Sequence, residues 1–455
     1  MPGPSLESLF QPKSIAIIGA SDKPDRIGFQ VIKSLLLGAF QGAIYPINPR
    51  IKTVLNLPAY TSIEAVPGEV DLAIIVLRKE RVLDAIDACS CKGVRSVIVM
   101  SSGFSEVGDD ATEQALVQKV HQYSMRMLGP NCAGFASTWE GIYASFENRL
   151  QKGHLAFISQ SGAMCAVILA LAQAVGLGFS MFISYGNQAD IGPEEILQYL
   201  VVHTPTKLIG WYLEGITNAH QFISMAKSLS RQKPLVVLKP GETLQAAHAI
   251  HSHTGTMAGE QAIYAGAFRQ SGILQATNLD EFIDACHILA TQPLPKGNRV
   301  GIITNSGGPG VLAVDACAQM RLDVTPFPAP LITKLEEVLP PFCSVLNPVD
   351  VGPEGIPEIY QRVTELLLDN QGLDMLLILC APTPFSSIQS ISKSIVKAKK
   401  TNLKKPLVTC WLAGDIVKEG LPLLIQAGIP NFPTPQRAAK ALQFLHYRAD
   451  WLRSH

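Results

Sequence analysis

A polar segment with two histidines contains the residue types that most directly suggest chemistry. His251 and His253 lie in the run His-Ser-His-Thr-Gly-Thr-Met-Ala-Gly at 251–259, between a predicted strand and a predicted helix. Such a loop lies at the sheet edge, where α/β proteins place their chemistry. A histidine there can be a general base, a metal ligand or a phosphoryl acceptor, or it can have only a structural role. His248, His251 and His253 have no cysteine or acid in ligand spacing, so we predict no metal site.

A carboxylate ends one of the predicted strands. Glu214 follows the apolar run 208–213 in the order Leu-Glu-Gly. A carboxylate at a strand end can fix the tautomer of a nearby histidine and stabilise its charged form. Glu214 is therefore the candidate partner of the histidine in the polar loop.

A serine-rich turn precedes the most apolar of the predicted helices. The turn reads Ser159-Gln160-Ser161-Gly162, and Ser161 fits a helix N-cap. Its hydroxyl and the free backbone N–H groups of the first helical turn could hold an oxyanion. The strand–turn–helix context is also that of a nucleophile elbow, but the first glycine of that motif is absent. A helix cap without further function remains the alternative.

A glycine-containing turn follows the first predicted strand. It reads Gly19-Ala20-Ser21, with Gly28 further on, and it is not the G-x-G-x-x-G of NAD sites. Such a turn can hold phosphate with backbone N–H groups and a helix N-terminus. The second strand ends in Tyr-Pro-Ile-Asn-Pro-Arg at 45–50, so the acid that would hold the NAD ribose is absent and Arg50 stands nearby. A cation there favours NADP or coenzyme A, and a domain without ligand is the alternative.

A third turn of small residues occurs late in the chain. It reads Asn-Ser-Gly-Gly-Pro-Gly at 305–310 and lacks the Lys-Ser/Thr ending of a P-loop, which disfavours ATP binding there. Pro309 near the first helical turn is ordinary helix-start chemistry. A structural role and a functional role therefore both remain open for this turn.

The scaffold that positions these candidate residues can be predicted from the order of the elements. Strand patterns alternate with helix patterns along the chain, and this alternation is typical of βαβ units with parallel sheets. The main predicted strands lie at 14–18, 43–47, 71–77, 95–100, 155–159, 179–184, 208–213, 235–238, 299–304, 375–379 and 407–410. The predicted helices lie at 28–37, 81–88, 110–123, 163–175, 193–202, 219–231, 261–270, 279–289, 311–319 and 436–447. Two prolines and a glycine within 291–297 predict a linker.

Composition excludes several classes of protein. The chain has 455 residues, of which 47% are apolar, so it is not intrinsically disordered. Its formal net charge is zero, which argues against nucleic-acid binding. The mean hydropathy is +0.22, but the longest apolar stretch, 163–177, is too short for a bilayer span. No signal peptide is visible, and the nine scattered cysteines indicate reduced thiols, so we expect a cytoplasmic protein without membrane contact.

Eight short motifs together indicate a family. In chain order they are Ile17-Ile18-Gly19-Ala20-Ser21, Tyr45-Pro46-Ile47-Asn48-Pro49-Arg50, Gly129-Pro130-Asn131-Cys132, Ser159-Gln160-Ser161-Gly162, Ser184-Tyr185-Gly186-Asn187, Ser252-His253-Thr254-Gly255, Thr304-Asn305-Ser306-Gly307-Gly308-Pro309-Gly310 and Asn347-Pro348-Val349-Asp350. With these motifs in family order, the sequence resembles the α subunit of ADP-forming (NDP-forming) acyl-CoA synthetases, such as acetate–CoA ligases, of the succinyl-CoA synthetase superfamily. The resemblance covers essentially the whole chain.

The resemblance implies an α/β fold with three domains. A Rossmann-like CoA-binding domain at 1–140 would precede two flavodoxin-like, succinyl-CoA synthetase-type parallel-sheet domains at 150–292 and 297–455, the former carrying the phosphohistidine.

The resemblance also implies roles for individual residues. His253 would carry the phosphoryl group and Glu214 would stabilise it. The N-terminus of the helix after Ser159 would bind phosphate through Ser161, Gly162 and Ala163. Coenzyme A would be held by Gly19, Ala20, Ser21, Asn48 and Arg50. The family usually has lysine where Arg50 stands, and arginine keeps the charge.

The family also needs an ATP-grasp module, and the three α/β units leave no part of this chain to form one. The resemblance therefore implies a separate ATP-grasp β subunit in an assembly such as α2β2, which would bring ADP or ATP with Mg²⁺. The substrates would be a small carboxylic acid or its acyl-CoA. Two alternatives remain at this point: an NADP-dependent oxidoreductase, and a non-catalytic sensor of CoA or acyl-CoA.

Overall fold

The computed structural model describes residues 6–147, 150–216, 219–241, 243, 245 and 261–455. The predicted phosphoryl acceptor His253 and its neighbour His251 lie outside the described residues. The chain divides into two compact units, Met1–Thr277 and Asn278–His455. Both have the predicted α/β architecture with mostly parallel sheets, so the predicted fold class is confirmed.

The first sheet of unit 1 is wholly parallel, with strand order β2-β1-β5-β6-β7. Its central strands are buried apolar runs, as expected of a sheet covered on both faces. The strands are β1 Ser14–Ile18, β2 Ala43–Ile47, β5 Leu72–Ile75, β6 Ser96–Val99 and β7 Arg126–Leu128, with a small hairpin of β3 Thr53–Val54 and β4 Leu57–Pro58. The helices of this region are α1 Glu7–Phe10, α2 Ile27–Leu37, α3 Val82–Cys91 and α4 Asp110–Gln122.

The second sheet of unit 1 has the order β14-β13-β12-β10-β11-β8-β9. Five of its strands are parallel, while β8 and β9 join its edge in antiparallel pairing. The strands are β8 Gly134–Ser137, β9 Ile142–Ser145, β10 Lys152–Ser159, β11 Phe179–Ser184, β12 Leu208–Tyr212, β13 Leu235–Leu238 and β14 Leu274–Ala276. Its helices are α5 Gly162–Ala174, α6 Pro193–Val202, α7 Ala219–Gln232 and α8 Gln261–Ser271.

Unit 2 contains a parallel sheet of order β16-β15-β17-β18. Its strands are β15 Val300–Thr304, β16 Val349–Asp350, β17 Met375–Cys380 and β18 Leu407–Trp411. Its helices are α9 Leu279–Thr291, α10 Gly307–Gln319, α11 Ala329–Glu336, α12 Pro357–Asp369, α13 Ile388–Lys399, α14 Leu421–Gln426 and α15 Pro435–Ser454.

Some elements differ from the sequence-based prediction. Helix α10 begins at Gly307. The sequence-based prediction placed its start at residue 311, because glycine has a low helix propensity and residues 307, 308 and 310 are glycines. The strands β8 and β9 and the helices α11, α12 and α13 were not predicted. The three-domain division at 1–140, 150–292 and 297–455 stays a prediction. No helix in the described part of the chain is long and apolar enough to cross a membrane.

Candidate functional site

A cleft of about 530 Å³ lies in unit 1, where loops at the carboxyl ends of strands from both sheets meet. Residues after β6, such as Ser105 and Glu106, line one part of it. Residues after β10, from Gln160 to Ala163, line another part, and Glu214 after β12 completes that side. The carboxyl edge of a parallel sheet is the usual place for a ligand in an α/β fold.

The N-terminus of α5 opens into this cleft. Ser161 is the N-cap of the helix, as the sequence predicts, and its Oγ accepts a hydrogen bond from the Met164 amide at 3.3 Å. Ser161, Gly162 and Ala163 all line the cleft. A Cβ built on Gly162 would come no closer than 3.9 Å to its nearest described neighbour, the Cβ of Ala133. The first turn of the helix therefore has room beside it for a ligand.

Glu214 stands beside this helix start because β10 and β12 are parallel neighbours. Ser159 pairs with Tyr212 in the sheet, so the residues that follow the two strands are adjacent. The Gln160 side chain then joins the two strand ends, since its Oε1 accepts hydrogen bonds from the amides of Glu214 at 2.8 Å and Gly215 at 3.4 Å. Glu214 and the capped start of α5, predicted separately, therefore line one cleft.

Lys239 is a charged residue at this edge that the sequence analysis did not single out. Its side chain is only 2% exposed. Its Nζ donates to the carbonyl oxygen of Glu214 at 3.5 Å and lies 4.5 Å from the centre of the Tyr264 ring. The signal in the sequence was a lysine that directly follows the apolar strand β13. Its hydrogen bond helps to hold the strand end that carries Glu214.

A network around Asn187 forms the polar side of the cleft. Its Nδ2 donates to Glu106 at 2.7 Å and to Glu113 at 2.8 Å, while its Oδ1 accepts from the Asn131 side chain at 3.2 Å. Burial raises the pKa of Glu106, but hydrogen bonds from Asn187 and from backbone amides lower it more, so the net pKa lies below the usual range. The Glu106 carboxylate is thus held in its ionised form, and it accepts hydrogen bonds from donors of the protein itself.

Cys132 lines the cleft beside this network. Burial raises the pKa of its thiol to about 12, so the thiol is protonated near neutral pH and is a poor nucleophile. All nine cysteines are unpaired, and seven of them are buried, which agrees with the expected reduced thiols. Among the described residues, no three His, Cys, Asp or Glu side chains are grouped to hold a metal ion.

The turn after β1 is built by close backbone contacts. Gly19 has φ +98°, and a Cβ there would lie 2.3 Å from the carbonyl oxygen of Val76, so only glycine fits. The amides of Gly19 and Ala20 both donate to the carbonyl oxygen of Ile47, at 3.1 and 3.2 Å. These two amides are therefore engaged within the fold in this structure.

Asn48 ties the same turn to Arg50. Its Nδ2 donates to the carbonyl oxygen of Ala20 at 2.7 Å, and its Oδ1 accepts from the Arg50 amide at 2.9 Å. Ser21 accepts a hydrogen bond from the Lys23 amide at 3.1 Å, and Arg50 is exposed. Of the five residues predicted to hold coenzyme A, Gly19, Ala20 and Asn48 thus shape the turn. Ser21 and Arg50 present side chains that can contact a phosphate.

The third small-residue turn lies in unit 2 and starts α10. Asn305 is buried and forms two hydrogen bonds of 2.8 Å with the backbone of Ala381, which fixes the turn to the end of β17. A Cβ built on Gly307 or Gly308 would meet no atom of the described chain within 4 Å. The turn is therefore firmly held while its first helical residues face open space.

Comparison with known proteins gives three family profiles along the chain. A CoA binding domain matches residues 13–138, a succinyl-CoA ligase like flavodoxin domain matches 152–289, and a Ligase-CoA domain matches 300–455. The α subunit of ADP-forming acetate–CoA ligase II from Pyrococcus furiosus is 39% identical over 98% of each chain. The chain belongs to the α-subunit family of ADP-forming acyl-CoA synthetases. The resemblance inferred from the motifs is thereby confirmed.

Two further relatives match nearly the whole of this chain. The ADP-forming acetate–CoA ligase of Methanocaldococcus jannaschii is 37% identical, and the match covers 97% of this chain but 63% of that protein. A structure of the dinucleotide forming acetyl-coenzyme A synthetase 1 of Ca. Korarchaeum cryptofilum, in complex with phosphate and ADP, matches with TM-score 0.94 and 36% identity over 99% of this chain and 98% of that one. The comparisons support an acid–thiol ligase, and they do not support the NADP-dependent oxidoreductase or the sensor.

Proposed function

We propose that this chain interconverts a small carboxylic acid, coenzyme A and ATP with acyl-CoA, ADP and phosphate, together with an ATP-grasp β subunit. The observation that carries the proposal is the cleft in unit 1, where the capped N-terminus of α5 and Glu214 lie side by side. Oriented amides and a helix N-terminus favour anionic phosphate. The full-length similarity to ADP-forming acetate–CoA ligase α subunits gives the reaction class.

The phosphoryl group would pass through His253. A neutral imidazole nitrogen of His253 takes the phosphoryl group from ATP, and ADP leaves. The substrate carboxylate attacks that phosphorus to give acyl phosphate and returns the imidazole. The CoA thiolate then attacks the acyl carbon, and phosphate leaves. Ser161, Gly162 and Ala163 would hold the phosphate oxygens, and Glu214 would orient the histidine.

Coenzyme A would bind at the turn after β1. The CoA binding domain profile covers this turn, and the exposed Arg50 can form charge-assisted hydrogen bonds to a phosphate. Ser21 lies in the turn that Asn48 fixes. Because the amides of Gly19 and Ala20 are engaged with Ile47, these residues would serve mainly by shaping the site.

The nucleotide and Mg²⁺ would come with the β subunit, in an assembly such as α2β2. Two observations support this. The Pyrococcus relatives are named as α subunits, and the single-chain relatives of Archaeoglobus fulgidus and Methanocaldococcus jannaschii extend beyond the matched 63% of their lengths. The unpaired cysteines are consistent with a reducing compartment, and we place the complex in the cytoplasm.

The proposed function is tested by reconstitution with the cognate β subunit. The complex, supplied with ATP, Mg²⁺, coenzyme A and a panel of acids, should form one ADP and one thioester per acid consumed. Replacement of coenzyme A by NADPH in a calorimetric titration should abolish the binding signal. Thioester formation that yields AMP and diphosphate, or binding of NADPH in preference to coenzyme A, would contradict the proposal.

The Arg50→Ala substitution should weaken coenzyme A binding. Loss of one charge-assisted hydrogen bond costs about 1.5–3 kcal/mol, or roughly 10- to 150-fold in Kd. If Arg50 contacts the 3′-phosphate, dephospho-CoA should bind the variant and the wild type almost equally well. Calorimetry with both ligands measures this difference. Equal losses for the two ligands would assign Arg50 to another part of coenzyme A.

The Glu214→Gln substitution should slow phosphorylation while the fold is retained. The amide keeps the size of the carboxylate but loses the charge that would orient and stabilise the histidine, and such a change typically costs about 10- to 100-fold. The initial rate of protein phosphorylation by ATP and the β subunit measures the effect, with thermal unfolding as the control for folding. A wild-type rate in the variant would remove Glu214 from the proposed role.

A further inference from the structure

The cleft in unit 1 has an apolar wall that the phosphoryl transfer does not use. This wall consists of Ile27 at the start of α2, Met100 after β6, Cys132, Phe146 after β9, and Ala166 in α5. Met100 and Cys132 are 7% and 4% exposed, while Ile27 is 43% exposed. Apolar side chains that face a cleft favour an apolar part of a ligand.

The charges around the cleft disfavour an ionised group on that part of the ligand. Glu106, Glu147 and Glu214 line the cleft, and the described lining residues include no lysine, arginine or histidine. A second carboxylate on a substrate would lie close to these three carboxylates and would lose part of its hydration there, which is unfavourable. The reactive carboxyl group of the substrate is in a different environment, because it would lie beside the N-terminus of α5, which favours negative charge.

The geometry of α5 relates the two regions. Gly162 and Ala166 are four residues apart, so they lie on the same face of the helix. The distance along the axis is about one helical turn, or roughly 5.4 Å. Ala166 is half-buried and lines the cleft as Gly162 does. A short acyl chain that starts at the helix N-terminus therefore reaches Ala166 after a few carbon atoms.

We propose that Ala166 and Phe146 determine which acyl chain the enzyme accepts. The acyl carbon lies at the N-terminus of α5, and an uncharged chain extends along the face that carries Ala166, within the wall that includes Phe146. The small side chain at 166 leaves room for the chain, and the aromatic ring at 146 bounds the room. This inference rests on the proposed function, because it assigns the acyl part of the same cleft.

The test measures kcat/KM of the αβ complex for acetate, propionate, butyrate and isobutyrate. Ala166→Leu fills the cleft, and one methylene more or less in an apolar pocket changes kcat/KM by about 10- to 200-fold. We therefore expect the ratio of butyrate to acetate to fall by that factor. Ala174→Leu is the matched control, because Ala174 is exposed at the far end of the same helix, about 12 Å along the axis from Ala166, and does not line the cleft. The ratio for this variant should equal that of the wild type.

Phe146→Ala enlarges the cleft, whereas Ala166→Leu fills it, and it should therefore raise the ratio of butyrate to acetate. The test thus does not depend on the folding of Ala166→Leu alone. Thermal unfolding of each variant checks the fold. If the wild-type complex forms acyl-CoA and both cleft variants leave the ratios unchanged, the assignment of the acyl site is wrong while the proposed function stands. If the wild-type complex forms no thioester from any acid, the proposed function itself fails, and this inference fails with it.

Discussion

Replacement of His253 with alanine is expected to abolish net acyl-CoA formation by the αβ complex. The variant lacks the nitrogen that we propose accepts the phosphoryl group, and loss of a covalent nucleophile lowers kcat by several orders of magnitude. We expect the folded state to be unaffected by the change, because the substitution removes a polar side chain from a polar segment of the sequence. A coupled assay of ADP release and thioester formation measures the effect.

His251 provides the matched control for this prediction. It lies two residues away in the same polar segment, so His251→Ala changes the local composition equally but leaves the proposed acceptor in place. The His251→Ala complex should retain activity of the wild-type order. Loss of activity in His251→Ala together with retention in His253→Ala would reverse the assignment of the two histidines.

The isolated chain should neither hydrolyse ATP nor form acyl-CoA from ATP, acid and coenzyme A. The three matched profiles are a CoA binding domain and two ligase-type domains, and we assign nucleotide binding to the β subunit. Addition of purified β subunit to the same sample should start the reaction, with activity that saturates as β is titrated. Thioester formation from the pure chain at the rate of the complex would contradict the division of the enzyme into two subunits.

Local sequence signals predicted the parts of the site that depend on neighbouring residues. Ser161 was expected to cap a helix, and it does so through Met164. Glu214 was expected at a sheet edge because it ends an apolar run, and parallel pairing of β10 with β12 brings it to the start of α5. Parallel strands place their carboxyl ends at one edge, so two separate local patterns sufficed to predict residues of one cleft.

Contacts between distant loops were not predictable in the same way. The Asn187 side chain binds Glu106, which is 81 residues away, and Gln160 binds the amide of Glu214, which is 54 residues away. Asn187 and Gln160 are polar residues in turns, and many polar turn residues in other sequences make no contact with a distant segment. Their partners are determined by tertiary structure, which a pattern along one chain segment does not contain. The apolar wall with Phe146 and Ala166 was missed for the same reason.

The missed elements have similar physical causes. Strands β8 and β9 are four residues each and pair in antiparallel fashion at the edge of a mainly parallel sheet. Neither is long enough to give a clear pattern. Helix α12 did carry a signal, since Pro357 stands in its first turn and Tyr360, Val363 and Leu367 form its buried face. In contrast, α10 begins with glycines whose helical conformation depends on the surrounding fold.

In the proposed mechanism, phosphoryl transfer passes through one histidine of this chain. The most direct measurement is mass spectrometry that preserves N–P bonds, on the αβ complex incubated with ATP and Mg²⁺ and then separated into its subunits. We expect one acid-labile, base-stable phosphate on the α chain, located on His253 and discharged when acid and coenzyme A are added. Phosphate on His251 or on a serine such as Ser161, or an unphosphorylated α chain in a complex that turns over, would contradict it.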